Sequence, residues 1–242
     1  IAANLGSMAT PIGNPQNLYL CSAAGLTMAQ FARAVLPYAG LSLVLLLAVL
    51  LLQRDEPLGE ARPEEEGEAA PLSALAPYLL LLALCLLVVF RVVGFVPVLL
   101  CVAAVVLAVN RRLFRSVDYF LLLTFLCFFI FIGNLKRIPA LNDLLLSLVG
   151  GHELLAGILA SQVISNVPAA ILLSGFTQNF AALLTAVNLG GLGTLVASLA
   201  SLITFKFYAA QYPDRKGRFL RSFTLWNAAF LLLLTAAALL LG

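Results

Sequence analysis

The chain has 242 residues, 62% hydrophobic and 10% charged, with a formal net charge of +3, whereas soluble domains average about 45–50% apolar and about 25% charged residues. A chain this apolar lacks the polar groups to cover a water-facing surface, which excludes a water-soluble enzyme or nucleic-acid binder. Stretches of the roughly 20 apolar residues that cross a bilayer as a helix recur along it, in unbroken Leu, Ala and Val runs. A transmembrane barrel would show alternating segments of about 10 residues instead, so the fold class is all-α and the protein polytopic in the membrane.

In chain order, residues 1–25 (IAANLGSMATPIGNPQNLYLCSAAG) are apolar but interrupted by Gly6, Pro11, Gly13 and Pro15. Proline has no backbone N–H and its ring crowds the preceding turn, so a broken span is expected. In lipid such a break survives only where protein buries it or where it lines a cavity. The text opens directly on this segment, at Ile1 and with no charged leader, and reads as a piece whose N-terminal part is missing. A short amphipathic stretch with Arg33 follows, then a span from about Tyr38 to Leu52. Residues 53–71 hold seven of the eleven acidic residues and two of the fourteen basic ones. With Pro57, Gly59, Pro63 and Gly67 they make a solvated linker between halves of one domain.

Further spans are expected at 72–93, 95–110 and 117–134, with Arg111, Arg112 and Arg115 between the last two. Residues 139–151 place apolar side chains at helical spacing with Asp143 opposite, as in a helix lying in the membrane interface. Residues 153–177 form two apolar arms that meet at Ser165-Asn166-Val167-Pro168. Neither arm reaches the roughly 20 residues of a full crossing, so the two fit a re-entrant helical hairpin with a polar tip near mid-membrane. Residues 178–211 are apolar and interrupted by Asn188, Gly190, Gly191, Gly193 and Thr194, a second broken span. A basic loop with Arg215, Lys216, Arg218 and Arg221 precedes the last span, 223–241. With the Arg111–Arg115 loop in the cytoplasm, alternation leaves only Arg33, Arg91, Lys136 and Arg137 outside, as the positive-inside rule requires. The cysteines, Cys21, Cys85, Cys101 and Cys127, are isolated and read as small buried apolar side chains.

An internal repeat sets the expected architecture. Residues 1–20 aligned on 185–204 share six identities, among them Asn4/Asn188, Leu5/Leu189, Gly6/Gly190 and Thr10/Thr194. The charge count runs the two broken spans in opposite directions, so the repeats are inverted. Residues 1–52 close the first repeat, 53–71 form an acidic cytoplasmic linker, and 72–242 form the second repeat. Inverted repeats with broken helices at corresponding places point to a secondary transporter with its site near mid-bilayer. An interrupted helix frees carbonyl oxygens for a cation and N–H groups for an anion.

The segments ANLGSMATPIGNPQN (3–17) and SQVISNVPAA (161–170) resemble the signature segments of citrate-transporter-like permeases. These belong to the ion-transporter superfamily, with the divalent anion/sodium symporters and arsenite permeases. The resemblance implies a substrate site near Ser165, Asn166, Val167, Pro168, Gly13, Asn14, Pro15, Asn17 and Ser198. It implies one sodium at Ser161, the Ile164 carbonyl, Asn166 and the Ala197 carbonyl, and a paired sodium using the Gly13 carbonyl plus a first hairpin absent from this chain. Val167 stands where the resemblance expects a threonine, and VASLA (196–200) lacks the two prolines of the expected turn. These departures bear on carboxylate specificity.

The expectation is a secondary active transporter in the bacterial inner membrane, moving a small carboxylate or oxyanion by alternating access. Sodium is the coupling ion and no other cofactor is expected; its partners are the anionic substrate, the bilayer and, by resemblance, a second copy in a homodimer. No nucleic acid and no catalysis are expected. Alternatives are an arsenite or inorganic-anion permease, a cation/proton antiporter, or a channel or non-transporting subunit. Proton coupling would want an intramembrane carboxylate or histidine, but Asp118, Asp143, Glu153, Asp214 and His152 read as lying near span ends. A serine-protease pairing of Ser165 with His152 lacks the GxSxG elbow. A channel would show a polar stripe along several helices, whereas the polar residues here gather at the breaks.

Overall fold

The computed structural model describes residues 1–52, 72–135 and 137–241. The chain divides into two compact units, Ile1–Leu52 with Leu122–Gly242, and Gln53–Leu121. Among the described residues every regular element is a helix. The acidic linker expected at 53–71, and Lys136, lie outside the described residues.

The first unit opens with α1 (Ala2–Ser7) and α2 (Pro15–Ala24), separated by an irregular turn. Pro15 begins α2, where its missing N–H is harmless and its fixed φ suits a first helical turn. Gly25, at φ 66°, ends α2. The Leu26 N–H reaches the Cys21 carbonyl at 3.1 Å and the Gly25 N–H the Ser22 carbonyl at 3.4 Å, the paired closure that a left-handed glycine permits. Next, α3 (Met28–Leu52) starts on a reciprocal cap. The Gln30 Oε1 accepts from the Thr27 N–H at 2.8 Å and the Thr27 Oγ1 accepts from the Gln30 N–H at 3.3 Å, which satisfies two donors of the first turn.

This corrects the expected boundary. The amphipathic stretch around Arg33 and the span from Tyr38 are one helix of 25 residues, with Pro37 inside it. A proline is tolerated within a membrane helix where neighbouring side chains make good the disturbed backbone. Pro37 leaves the Arg33 carbonyl without its helical N–H, and the Thr185 hydroxyl donates to the next carbonyl, that of Ala34, at 2.9 Å.

In the second unit α4 (Leu72–Val89) packs on α5 (Phe95–Asn110). Arg91, at φ 59°, turns the chain between them. A 3-10 turn, Arg111–Ser116, follows α5 and is started by the Asn110 side chain accepting from the Arg112 N–H at 3.2 Å.

From α6 (Tyr119–Leu135) onward the chain returns to the first unit. There follow α7 (Pro139–Val149), bent 104° from the body of α6, then α8 (Glu153–Ile164), α9 (Asn166–Leu173), α10 (Phe180–Leu189), α11 (Leu199–Gln211) and α12 (Lys216–Leu241). The last helix starts seven residues before the expected 223. Lys216, Arg218 and Arg221, read as loop for their charge, are good helix formers exposed on its first turns.

Met28–Leu52, Phe95–Ser116 and Pro213–Leu241 are long and apolar enough to cross a membrane. Protein covers little of them, 11%, 6% and 22% of their most apolar stretches, as a surface solvated by lipid requires. The protein is thus an all-α, multi-pass membrane protein. The core gathers instead on the short helix α10, whose Leu183, Leu184, Ala186, Val187 and Leu189 are each 0% exposed. A helix apolar on all sides is one buried on all sides, and α10 packs on α1, α2, α3, α8, α9 and α12.

Candidate functional site at three helix breaks

Residues 153–177 fold back on themselves. The Glu153 Oε1 accepts from the Thr177 hydroxyl at 2.8 Å and from the Gly151 N–H at 3.3 Å, so both arms begin and end at one place. At the far end α8 stops because Pro168 cannot donate to the Ile164 carbonyl and its ring would strike that oxygen. Ser165 alone makes the turn, at φ 73° and ψ 155°, a region that residues other than glycine enter at a cost of about 1–3 kcal/mol. It caps both helices: its N–H donates to the Ser161 carbonyl at 3.1 Å and its carbonyl accepts from the Ala169 N–H at 3.0 Å.

The hairpin lies against α10 through small residues. A Cβ on Gly157 would meet the Ala186 Cβ at 2.5 Å, and one on Gly190 the Ser161 Oγ at 2.7 Å. Such stripes let helix backbones approach closely in a membrane. Beyond Leu189 the chain is irregular until Ser198 caps α11, its Oγ accepting from the Ala200 N–H at 3.2 Å. Gln162 holds this stretch to the hairpin. Its Nε2 donates to the Gly190 carbonyl at 2.8 Å and the Leu192 carbonyl at 2.9 Å, and its Oε1 accepts from the Thr194 N–H at 2.8 Å. The carbonyls that a continuous helix would satisfy are thus served by the hairpin.

The first break is closed by amides. The Ser7 Oγ donates to the Asn14 Oδ1 at 2.8 Å, and the Asn17 Nδ2 to the Thr10 carbonyl at 3.1 Å. The breaks also bond each other, in a crossed pattern. The Asn14 Nδ2 donates to the Asn188 Oδ1 at 3.4 Å, and the Ser198 Oγ to the Asn4 Oδ1 at 3.3 Å. Asn4 aligns with Asn188 and Asn14 with Ser198 at one offset, and the first residues of α2 and α11, Pro15 and Leu199, share it. The two bonds are therefore the same contact made twice, once from each half. Asn188 is tied further, its Nδ2 donating to the Asn17 Oδ1 at 2.6 Å and the Leu184 carbonyl at 2.8 Å.

Among the residues expected at the site, the structure brings together Ser165, Asn166, Ala197 and Ser198. The Ser165 hydroxyl lies 3.4 Å from the Ala197 carbonyl. The Asn166 and Asn4 amides both abut Gly191, where a Cβ would stand 2.8 Å and 2.5 Å from their Nδ2 atoms. Asn14 and Asn17 join through Asn188. The Ser161 hydroxyl is buried and donates to the Gly157 carbonyl at 2.7 Å. Gly13 packs over the Ser7 carbonyl, and Pro15 is exposed at the start of α2. Val167 faces the small cluster of Ile132 and Ile171.

Glu153 stands at the first residue of α8, at a span end as expected, and is buried, 7% exposed; the Thr177 and Gly151 donors make that burial tolerable. Gln162, Asn4 and Gly191 were not singled out as site residues. Their signal was a lone amide in an apolar arm, and a glycine and an asparagine within the repeat. Among the described residues no three His, Cys, Asp or Glu side chains come together. The polar groups at the breaks are hydroxyls, carboxamides and backbone carbonyls; their oxygens suit hard cations such as sodium, and the O–H and N–H groups suit hydrogen-bond acceptors.

A protein family described as Citrate transporter matches residues 1–203. The uncharacterized transporter MJ0456 of Methanocaldococcus jannaschii is 35% identical over 222 residues, 91% of this chain and 59% of its own. The inner membrane protein YbiR of Escherichia coli is 38% identical over 213 residues, 85% of this chain and 56% of its own. The silicon efflux transporter LSI3 of Oryza sativa is 32% identical over 76 residues, 31% of this chain and 16% of its own. The chain thus spans somewhat more than half the length of the first two relatives. No solved structure matches it.

Proposed function

Since the chain belongs to the citrate transporter family, a family of membrane transporters and not of enzymes, we propose that the protein carrying it moves a small carboxylate or oxyanion by alternating access, coupled to sodium. The observation that carries this reading is the meeting of three helix breaks, at Ser165, at residues 190–198 and at residues 8–14, joined by side-chain bonds. Freed carbonyls at Ile164 and Ala197, with Ser161 and Asn166, supply oxygen ligands for one sodium; Gly13 supplies a carbonyl for the other. The N-terminal ends of α9, α2 and α11 bring N–H groups and positive dipole ends to the same neighbourhood, which favours an anion. The membrane proposed is the bacterial inner membrane.

A second reading, an inorganic oxyacid as substrate, is favoured by the chemistry of the tip. The buried side chains there, Asn4, Asn166, Ser161 and Ser198, are all uncharged, so a neutral or cation-paired oxyacid meets no unbalanced charge. A silicon efflux transporter among the relatives agrees with that chemistry.

The test is uptake by the full-length protein in proteoliposomes, with and without an inward sodium gradient, across citrate, succinate, sulfate and arsenite. Gradient-driven uptake that Asn166→Ala abolishes is expected. Uptake of none of the four refutes transport of this class, uptake indifferent to sodium refutes the coupling, and uptake of arsenite alone selects the second reading.

A further inference from the structure

Two contacts between the hairpin and the second break share one register. The Gln162 Oε1 accepts from the Thr194 N–H at 2.8 Å, and the Ser165 Oγ donates to the Ala197 carbonyl at 3.4 Å, each pair 32 residues apart in the chain. The end of α8, from Gln162 to Ser165, therefore lies alongside the stretch from Thr194 to Ala197. The two contacts are not equally firm. Ser165 offers one long bond. Gln162 makes four: its Nε2 donates to the Gly190 and Leu192 carbonyls, its Oε1 accepts from the Thr194 N–H, and its own carbonyl accepts from the Thr194 hydroxyl at 3.0 Å. Gly193, at φ 99°, is shaped by the same side chain, because a Cβ there would run into the Gln162 Oε1.

The Ala197 carbonyl depends on this anchor. The Ala197 N–H donates to the Thr194 carbonyl at 3.2 Å and closes a 3-10 turn over Leu195–Ala197. Thr194, held at its N–H and its hydroxyl, is the fixed end of that turn, and the other end presents the Ala197 carbonyl to the hairpin tip. The oxygens proposed for one sodium come from both segments, the Ser161 hydroxyl, the Ile164 carbonyl and Asn166 from the hairpin and the Ala197 carbonyl from the break. Ligands on two segments bind a cation tightly only when something outside the ligand set fixes their spacing, since any ordering left to the binding step is lost from the affinity.

We infer that Gln162 is a positioning residue for the coupling cation: by pinning Thr194 it sets the Ala197 carbonyl against the hairpin oxygens. The inference deepens the sodium-coupled reading and rests on it. Gln162 is not itself a ligand, because its Nε2 and its Oε1 already have partners in the chain. Its loss therefore weakens the cation's site while leaving the groups that face the substrate in place.

The experiment uses the full-length protein in two readouts. In detergent, Tm is measured in sodium chloride and in choline chloride at equal ionic strength. In proteoliposomes, uptake is measured against sodium concentration, using whichever of citrate, succinate, sulfate and arsenite the wild type takes up. Gln162→Met keeps the reach of the side chain and removes its amide. It is expected to raise the sodium concentration for half-maximal uptake about ten-fold, within the range for losing one or two hydrogen bonds, with substrate KM at saturating sodium moved less than two-fold. The sodium-induced rise in Tm should move to higher sodium by the same factor. Thr194→Val removes only the hydroxyl that serves the Gln162 carbonyl and should raise half-maximal sodium about three-fold; Thr194→Ser, which keeps the hydroxyl, should restore the wild-type value. A fall in maximal uptake rate with half-maximal sodium unchanged is what a merely structural role would give, and it overturns the inference, as does a sodium-induced Tm rise that Gln162→Met leaves at the wild-type concentration. If Gln162→Met does not fold, the Thr194 pair decides, and equal half-maximal sodium in Thr194→Val and Thr194→Ser overturns it. Wild-type uptake indifferent to sodium overturns the sodium-coupled reading itself, and the inference with it.

Discussion

Replacing Ser165 by glycine should make the protein more stable and less active. At φ 73° and ψ 155° the serine backbone carries about 1–3 kcal/mol of strain, which glycine does not incur. Glycine loses more chain entropy on folding, about 0.5–1 kcal/mol. The hydroxyl also gives up its contact with the Ala197 carbonyl, but at 3.4 Å that bond is long and contributes no more than about 0.5 kcal/mol. The balance is a gain of about 1 kcal/mol, and Tm should rise by about 2–4 °C if the response follows that of domains of 150–250 residues. Ser165→Ala is the control. It keeps the strain, loses the hydroxyl contact and should melt at or slightly below the wild type. The assay is thermal unfolding of the full-length protein in detergent, followed by uptake in proteoliposomes, where Ser165→Gly should fall below the wild type despite its higher Tm. If Ser165→Gly melts below Ser165→Ala, the turn is not strained as described.

Gln162→Leu removes both donors from the buried Gly190 and Leu192 carbonyls, a loss of about 2–5 kcal/mol. Gln162→Glu, which keeps the shape without the donors, should lower Tm comparably, and equal Tm values for both variants and the wild type would refute the role. Gly157→Ala forces its new methyl to within 2.5 Å of the Ala186 Cβ, costing about 1–3 kcal/mol. Adding Ala186→Gly should recover part of that loss in the same unfolding assay, whereas a simple sum of the two effects would mean the helices do not touch there. Asn188→Leu takes the partner from the Asn17 Oδ1 and from the Asn14 Nδ2 and should cost about 2–4 kcal/mol. Asn188→Leu unfolding at the wild-type temperature would show that the breaks are not tied through this amide.

The breaks were legible where a single residue forces them. Pro168 marks the end of α8, and the glycines from 190 to 193 mark the second break. The repeat added the register, because Asn4/Asn188 and Gly6/Gly190 match in sequence, and the first residues of α2 and α11 then fall at one offset. The start of α3 was misplaced because Pro37 outweighed the Thr27–Gln30 cap, although a membrane helix can hold a proline where a neighbour such as Thr185 lends a hydroxyl. The start of α12 was misplaced because charge was read as loop. The partners of Gln162, Asn4 and Glu153 were not legible, since each depends on residues brought close only by tertiary packing.

The crossed bonds join residues 174 and 194 positions apart in the chain. During synthesis the amides at 4, 14 and 17 enter the membrane long before 188 and 198 exist to receive them. Hydrocarbon would penalise those waiting groups by several kcal/mol each. The first segment must therefore be kept wet, or sheltered by the insertion machinery, until the last helices arrive, and biogenesis of the early half depends on completion of the late one.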